Sequence, residues 1–355
     1  MAAMTETRPT APAPRSIASG SGSNVVAEPT ATNRSGTVDV IIAAWNRADT
    51  IERAIRSVAG EDDVKAVIVV DDASSDATFA VASALCASLP KLRVIRQPRN
   101  GGPSAARNAA LDLARADWIT ILDGDDYMQP GRLGRLLAAS KDADIVADDL
   151  LQIHEDAPAG TTARPLLEVQ SASAVSLGDF VRGNISSRSR HRREMGFLKP
   201  LIRRAFLRQH GLSYDEAVRL GEDYLLYAGA LAHGARFRLV PAAGYVAVMR
   251  PGSLSGQHSR QDLEALLRGD LRLAALPQLS AADRRAIGLH CRHIDGKIRW
   301  LVMIEAVKAR DWPRFAATFR TAPATSFELI GKLLEQVQLR SGRKLRHLLG
   351  LRDAT

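Results

Sequence analysis

One short stretch constrains the fold most strongly: an apolar run that ends in three aspartates within four positions. The run Trp118–Leu122 is rich in β-branched residues, which is typical of a buried strand. It leads directly into Asp123, Asp125 and Asp126. Adjacent carboxylates repel one another unless positive charge lies between them, and open α/β sheets bind ligands at the carboxyl ends of their strands. The stretch therefore predicts a divalent metal, Mn²⁺ or Mg²⁺, that bridges to a substrate diphosphate.

The chain before this stretch alternates between predicted strands and helices. The predicted strands are Val38–Ala44, Val64–Val70, Leu92–Gln97 and Trp118–Leu122. Such alternation predicts an α/β fold with a mainly parallel, Rossmann-like sheet covered by helices on both faces. The later part is less regular, and there we expect a helix at Glu222–Leu231, strands at Ala143–Ala147 and Tyr245–Met249, and a loop over residues 155–176.

Composition divides the chain into three parts. Residues 1–36 are rich in Ala, Ser, Thr, Pro and Gly without periodicity, which predicts a disordered tail. Residues 37–258 carry the strand and helix pattern. Residues 259–355 show leucines at helical spacing and an excess of Lys and Arg, which predicts a helical, basic C-terminal region.

Charge and composition narrow the function classes. The net charge of +9 favours anionic partners, but aromatic residues make up only 5%, and no nucleic-acid-binding motif is present, so we expect no nucleic acid partner. The two cysteines have no ligand-like spacing. No apolar run reaches the ~18 residues of a membrane span. We expect a cytoplasmic protein, with peripheral binding to the inner face of the cell membrane left open.

Six segments together resemble the family 2 glycosyltransferases with the GT-A (nucleotide-diphospho-sugar transferase) fold. They are VDVIIAAWNRADTIERAIRSV, VIVVDDASSDAT, RQPRNGGPSAARNAALDLARADWITILDGDDYMQP, GFLKPLIRRAFL, GEDYLLYAGAL and VMRPGSLS. Their order and spacing follow the family over residues 38–258. The resemblance implies a GT-A domain at 37–258, in which 37–130 binds the nucleotide-sugar and 131–258 holds the acceptor and the catalytic residues, followed by a helical C-terminal extension.

The resemblance implies that the nucleotide-sugar lies at the ends of the strands. The residues implied to bind it are Ala44, Trp45, Asn46, Arg47, Asp72, Arg107, Asp123, Arg250 and Ser253. Asp72 would recognise the base, and Arg250 would neutralise the leaving diphosphate. One alternative stays open for each of two residues. Trp45 could only pack a loop. Arg107 could form an ion pair that holds Asp71 or Asp72, in place of its role in the nucleotide site or together with it.

Catalytic and metal-binding roles are also implied by the resemblance. Asp223 would be the general base on an acceptor hydroxyl, with Glu222 positioning the acceptor or bracing Asp223. From the residues alone, an acidic first turn usually reflects only a favourable interaction with the helix dipole, and the resemblance is what favours the catalytic role. The metal ligands would be Asp125, Asp123 and His258.

The sequence thus leads us to expect an inverting, metal-dependent glycosyltransferase that moves a glucose-type hexose from a UDP-sugar to a glycan hydroxyl. Similar bacterial enzymes of exopolysaccharide and cell-surface glycan assembly suggest a polyprenyl-diphosphate-linked acceptor. The alternatives are an inactive glycosyltransferase-like scaffold and a nucleotidyltransferase, although the loop Ala43–Arg47 lacks the glycines of the latter. The basic C-terminal region either rests on an anionic membrane surface or packs on the core.

Overall fold

The computed structural model describes most of the chain. The described residues are 36–158, 160–186, 194–250, 259–321, 325–327 and 329–334. Nearly all of the predicted tail, and the predicted site residues Ser253 and His258, lie outside these ranges.

The strands confirm the predicted alternation and add pieces that the sequence pattern did not predict. They are β1 (Val38–Ala44), β2 (Val64–Asp71), β3 (Leu92–Arg96), β4 (Trp118–Ile121), β5 (Tyr127–Met128), β6 (Ile145–Asp148), β7 (Leu151–His154), β8 (Arg164–Pro165), β9 (Ser173–Val175), β10 (Leu201–Arg203), β11 (Phe237–Val240) and β12 (Tyr245–Met249). The predicted loop at 155–176 was wrong in part, because β8 and β9 lie within it. Strands β10 and β11 were not predicted.

Helices fill the connections and the C-terminal region. They are α1 (Ile51–Ala59), α2 (Thr78–Ala84), α3 (Pro103–Leu113), α4 (Arg132–Ala138), α5 (Leu177–Gly183), α6 (Arg204–Gln209), α7 (Glu222–Ala232), α8 (Arg260–Ala274), α9 (Ala281–Ala309) and α10 (Trp312–Ala317). In α1 the residues Ile51, Ala54, Ile55 and Val58 form one buried face, as their helical spacing predicts.

The larger sheet within the described residues has the order β3-β2-β1-β4-β10-β6-β11-β9. Neighbouring strands from β3 to β4 run parallel, β6 and β11 also pair in parallel, and β10 and β9 run antiparallel to their neighbours. A smaller sheet has the order β5-β12-β7-β8. The predicted mainly parallel α/β fold is confirmed.

The parallel strands place their carboxyl ends at one edge of the sheet. Strand β1 lies between β2 and β4, and almost all of its residues are buried. This explains why it is an unbroken apolar run, since helices cover both faces of a parallel sheet. Ala44 pairs with Asp71, and Ile41 pairs with Ile121 two residues before Asp123. The polar residues that follow these three strands therefore meet at one edge.

Helix α8 packs against α7, and α9 packs against α8 and α5. Helix α8 begins with a capping box formed by Ser259 and Asp262. Gly269 lies against the Leu225 side chain so closely that an added Cβ would overlap it. This close approach joins α8 to the helix that carries Glu222 and Asp223. None of the described helices combines the length and the apolar character needed to cross a membrane.

Candidate active site

A cavity of about 920 Å³ lies at the carboxyl ends of β1, β2 and β4. One part of its wall comes from the strand ends, including Trp45, Asp72 and Asp125. The other part comes from helices α7, α8 and α9, including Asp223 and His290. The cavity brings together all of the predicted site residues that the structure describes.

The loop after β1 presents an aromatic ring to this cavity. Trp45 lines the cavity and is 48% exposed, so the ring is available to a ligand. Asn46 has a φ of 52°, and its side-chain oxygen accepts a hydrogen bond from the Ser75 backbone N–H (2.9 Å). The Arg47 backbone N–H donates to Thr78 Oγ1 (2.7 Å). These bonds hold the loop after β1 against the segment after β2.

Asp72 organises the loop before α3. Its two carboxylate oxygens accept hydrogen bonds from the backbone N–H groups of Gly101 and Gly102, both at 2.8 Å. Gly102 has a φ of 85°, which favours glycine, and Pro103 begins α3. Asp72 is buried at the cavity wall, and its predicted contact with a base stays a prediction.

A largely buried cluster of five charged side chains lies in the cavity wall. Arg107 contacts Glu222 (Nη1 to Oε1, 2.6 Å), Asp123 (Nη2 to Oδ1, 3.0 Å) and Asp223 (Nη1 to Oδ1, 3.4 Å). Lys199 Nζ contacts Asp223 Oδ2 (2.6 Å) and Asp123 Oδ2 (3.0 Å). Two cations therefore hold three carboxylates that come from β4 and α7.

This arrangement corrects one alternative for Arg107. The guanidinium does not pair with the carboxylates after β2, because it is committed to Asp123, Glu222 and Asp223. Asp71 instead pairs with Arg96 (Nε to Oδ2, 3.2 Å).

The cluster sets the protonation of its members. Burial alone would raise the pKa of Asp123, but the charges of Lys199 and Arg107 lower it to about 2. Burial raises the pKa of Glu222, and Arg107 only partly offsets that effect. Asp223 Oδ1 is buried and makes no hydrogen bond within the described residues. Arg107 Nη1 lies 3.4 Å from this oxygen. Asp223 lines the cavity, where a carboxylate could accept the proton of an acceptor hydroxyl as a general base.

The two aspartates after Gly124 have different environments. Asp125 is partly exposed and pairs with Arg47 (Nε to Oδ2, 3.3 Å), and burial together with the charge of Asp123 raises its pKa. Asp126 accepts hydrogen bonds from the Tyr245 hydroxyl and the Val248 backbone N–H, both at 2.8 Å. Asp126 therefore fastens β12 to the cavity loop.

Arg250 lies beside this loop and lines the cavity. It pairs with Glu155 (2.8 Å) and Asp49 (3.5 Å), and its Nε is buried without a hydrogen bond within the described residues. The positive charge of Arg250 also acts on Asp125, where it lowers the pKa. This position suits a cation that faces an anionic ligand.

The donor set fits a metal that is shared between protein and substrate. Among the described residues, no group of three or more His, Cys, Asp or Glu side chains is arranged to hold a metal. Asp125, by contrast, is a cavity carboxylate whose pKa is raised by burial and by the charge of Asp123, so that an added cation would stabilise its ionised form. Mg²⁺ and Mn²⁺ are commonly held by one or two carboxylates plus substrate phosphates. The ion pairs of Asp123 with Arg107 and Lys199 make it the less available ligand.

Sequence reasoning missed two contributions to the site. Lys199 lies in an apolar segment before β10. A lysine in such a segment is seldom buried without an acidic partner, and this was the only indication in the sequence that Lys199 forms an ion pair inside the protein. Its backbone carbonyl accepts a hydrogen bond from the buried Arg132 (2.5 Å), which is itself paired with Asp148. The wall formed by α8 and α9, including His290, has no motif that could have indicated it.

Comparisons with known proteins agree with this architecture. The family model "Glycosyl transferase family 2" matches residues 39–206. The succinoglycan biosynthesis protein ExoU of Rhizobium meliloti (strain 1021) is 42% identical over 300 residues, which cover 84% of this chain and 86% of ExoU.

Two solved structures share the fold. S. aureus TarS 1–349 in complex with UDP-GlcNAc has a TM-score of 0.59 at 18% identity, over 79% of this chain and 90% of that one. The mannosyltransferase PcManGT of Pyrobaculum calidifontis, in complex with GDP-Man and Mn²⁺, has a TM-score of 0.54 at 17% identity, over 86% and 88%. The predicted GT-A fold with C-terminal helices is confirmed. The chain therefore belongs to glycosyltransferase family 2 and is an enzyme of that class.

Proposed function

We propose that the protein transfers a glucose-type hexose from a UDP-sugar to a hydroxyl group of a glycan, with inversion at the anomeric carbon. The observation that carries this proposal is the placement of Asp223 in the same cavity as Trp45, Asp125 and Arg250. A carboxylate that lines a nucleotide-sized cavity, together with the residues proposed to hold the diphosphate, suits direct displacement. The acceptor oxygen attacks the anomeric carbon as the diphosphate leaves from the opposite face.

In this mechanism Asp223, which lines the cavity, removes the proton from the acceptor hydroxyl. Lys199 and Arg107 hold the Asp223 carboxylate in place. Trp45 offers its exposed ring to the base of the nucleotide, and Arg250 neutralises charge on the departing diphosphate.

A divalent metal, Mn²⁺ or Mg²⁺, would be held by Asp125. When bound, it would stabilise the negative charge of the diphosphate as a Lewis acid. Both carboxylate oxygens of Asp123 form ion pairs, one with Arg107 and one with Lys199, so Asp123 would mainly hold these two cations in position. The mannosyltransferase PcManGT, which shares the fold, is described in complex with GDP-Man and Mn²⁺, and this supports a metal role here.

The acceptor is proposed from the curated relative. ExoU is named a succinoglycan biosynthesis protein and is similar over 84% of this chain. We therefore assign the protein to the biosynthesis of a bacterial exopolysaccharide, with a growing glycan as acceptor. A polyprenyl-diphosphate-linked oligosaccharide is the acceptor class that this assignment favours.

Calorimetric titration with UDP, GDP, CDP and dTDP, each with and without Mn²⁺, tests the donor and the metal together. We expect UDP to bind most tightly, and Mn²⁺ to strengthen binding in the wild type but not in Asp125→Asn. Asp142→Asn is the matched control, because Asp142 is an exposed residue with a φ of 57°, which asparagine tolerates. Absence of binding by all four nucleotides would contradict the proposed function.

The C-terminal region supports a proposed contact with an anionic membrane surface. Trp312 is 60% exposed and Phe327 is 74% exposed, and Arg310, Arg314 and Arg320 lie in the same region. Exposed aromatic rings near basic residues favour anionic lipid headgroups. Vesicle flotation of the full chain tests this: we expect binding to vesicles that contain phosphatidylglycerol and little binding to pure phosphatidylcholine. Equal flotation with both would contradict a charge-driven contact.

A further inference from the structure

A buried polar group lies between the cavity and the C-terminal helices. Asp270 of α8 is fully buried, and each of its carboxylate oxygens has a partner. Oδ1 accepts a hydrogen bond from the Tyr224 hydroxyl (2.9 Å), and Oδ2 lies 2.6 Å from Nδ1 of His290. A buried carboxylate is costly unless it is hydrogen-bonded, so this arrangement links α7, α8 and α9 through one anion.

The carboxylate determines which nitrogen of His290 carries hydrogen. An ionised carboxylate only accepts hydrogen bonds, so Nδ1 of His290 must donate to Asp270. The ring is held further by Tyr224, whose centroid lies 4.6 Å away. Nε2 is then the remaining polar atom of a ring that lines the cavity. In the neutral ring Nε2 accepts a hydrogen bond.

The surroundings of this ring suit a sugar. Tyr224 contacts both Asp270 and His290 and directly follows the proposed base Asp223 in α7. His290 and Asp223 line the same cavity. Apolar side chains of α8 and α9 line the same cavity, namely Leu263, Leu266 and Ile294. A pyranose has hydroxyl groups at its edge and C–H groups on its faces, and it needs both kinds of contact.

We propose that His290, oriented by Asp270, binds a hydroxyl of the acceptor pyranose through Nε2, and that α8 and α9 form the acceptor half of the site. This inference rests on the proposed function. His290 would accept a hydrogen bond from a hydroxyl other than the one that reacts, while Asp223 takes the reacting proton. Asp270 is a positioning residue, since it acts through His290.

Two substitutions of His290 separate binding of the acceptor from support of the helices. An asparagine side chain can still donate where Nδ1 lies, so His290→Asn keeps the link to Asp270 and removes the group at Nε2. A glutamine side chain places its amide near Nε2, so His290→Gln keeps a polar group for the ligand. His293→Ala is the matched control, because His293 lies on the same helix and contacts Ser186.

The probes are octyl β-glucoside, octyl β-galactoside and octyl β-mannoside, with UDP measured separately. The glycosides are titrated into the UDP-saturated enzyme, and the glycoside that binds the wild type most tightly is carried forward. We expect the glycoside Kd to rise about tenfold or more in His290→Asn, as the loss of a buried hydrogen bond predicts, and to recover in part in His290→Gln. The Kd for UDP should stay within about twofold in all variants, and His293→Ala should match the wild type.

Each other outcome overturns the inference. An unchanged glycoside Kd in a folded His290→Asn variant would show that Nε2 does not contact the ligand. Better binding by His290→Asn than by His290→Gln would assign His290 a structural role only. If UDP binds but none of the three glycosides does, this half of the cavity does not take a pyranoside. If UDP itself fails to bind the wild type, it is the proposed function that fails.

Discussion

The two halves of the cavity wall are built in different ways. The strand-end half carries Trp45, Asp72 and Asp125, each placed by the loop directly after a strand whose apolar pattern is plain. The helical half carries residues such as His290, placed by helices that begin more than one hundred residues later. The difference teaches that recognisable motifs arise where the backbone itself presents the ligand contacts. Where side chains on whole helices provide the ligand contacts, many different sequences can provide them, so no short motif marks their positions.

Asp223→Asn has the largest expected effect, because Asp223 lies where the two halves meet. We expect transfer to fall by about 10²–10⁴-fold, the usual contribution of a general base. UDP binding should persist, since the strand-end half is unchanged. Initial rates of UDP release measure the loss, with Asp142→Asn as control. A variant with near wild-type transfer would mean that the base lies elsewhere.

Lys199→Met sharpens the comparison by removing a cation from the buried cluster. Asp123 and Asp223 would lose a partner within 3.0 Å, and breaking a buried ion pair costs about 3–5 kcal/mol of unfolding free energy. Urea unfolding at neutral pH measures this. Lys65→Met is the control, because Lys65 is exposed and surface changes stay within about 0.5 kcal/mol. A loss below about 1 kcal/mol for Lys199→Met would contradict the structural importance of the cluster.

Gly269→Ala tests the packing within the helical half, where α8 contacts α7. The added methyl group would overlap Leu225, and overpacking of this kind costs about 1–3 kcal/mol. Gly288→Ala in α9 is the control: the nearest atom to its added Cβ is the end of Arg292 at 3.8 Å, so it should stabilise by about 0.5–1 kcal/mol. Urea unfolding with fluorescence detection distinguishes the two. Equal effects would mean that α8 is not tightly packed on α7.

The last expected effect is a pH dependence of stability that distinguishes two neighbouring carboxylates, Asp126 and Asp123. Burial and the charge of Asp123 raise the pKa of Asp126 to about 7. Between the unfolded pKa, near 4, and pH 7, the folded protein holds a proton that the unfolded chain lacks, so this group lowers stability by up to about 1.4 kcal/mol per pH unit as pH rises. Asp123, with its pKa lowered to about 2, acts in the opposite sense between pH 2 and its unfolded pKa.

Asp126→Asn should flatten the decline between pH 5 and pH 7, because asparagine resembles the protonated acid. The measurement is urea unfolding at several pH values, compared with the wild type. Asp142→Asn should leave the wild-type slope unchanged. An Asp126→Asn variant that keeps the full slope would contradict the raised pKa of this group.

Much of the strand framework follows from local pattern. Strands β1 and β12 have the bounds that the sequence predicted, and β2, β3 and β4 differ by one residue. The three-residue strands β9 and β10 could not be predicted, because such short segments are extended only when neighbours pair with them. Strand β10 lies between β4 and β6 in the middle of the sheet, although it comes late in the chain. Its position decides where Lys199, two residues earlier, enters the site.

The sequence by itself determined the α/β class, the family and the strand-end residues of the candidate site. The spacing of apolar residues and the motifs in the loops after strands each involve only a few neighbouring residues, so they can be recognised in the sequence. Only the tertiary structure decided which charges meet. The pairing of Arg107 and Lys199 with Asp123, Glu222 and Asp223 depends on β4, α3, α7 and the segment before β10 converging. Coulomb energies depend on distance and burial, and neither can be read from positions along a chain.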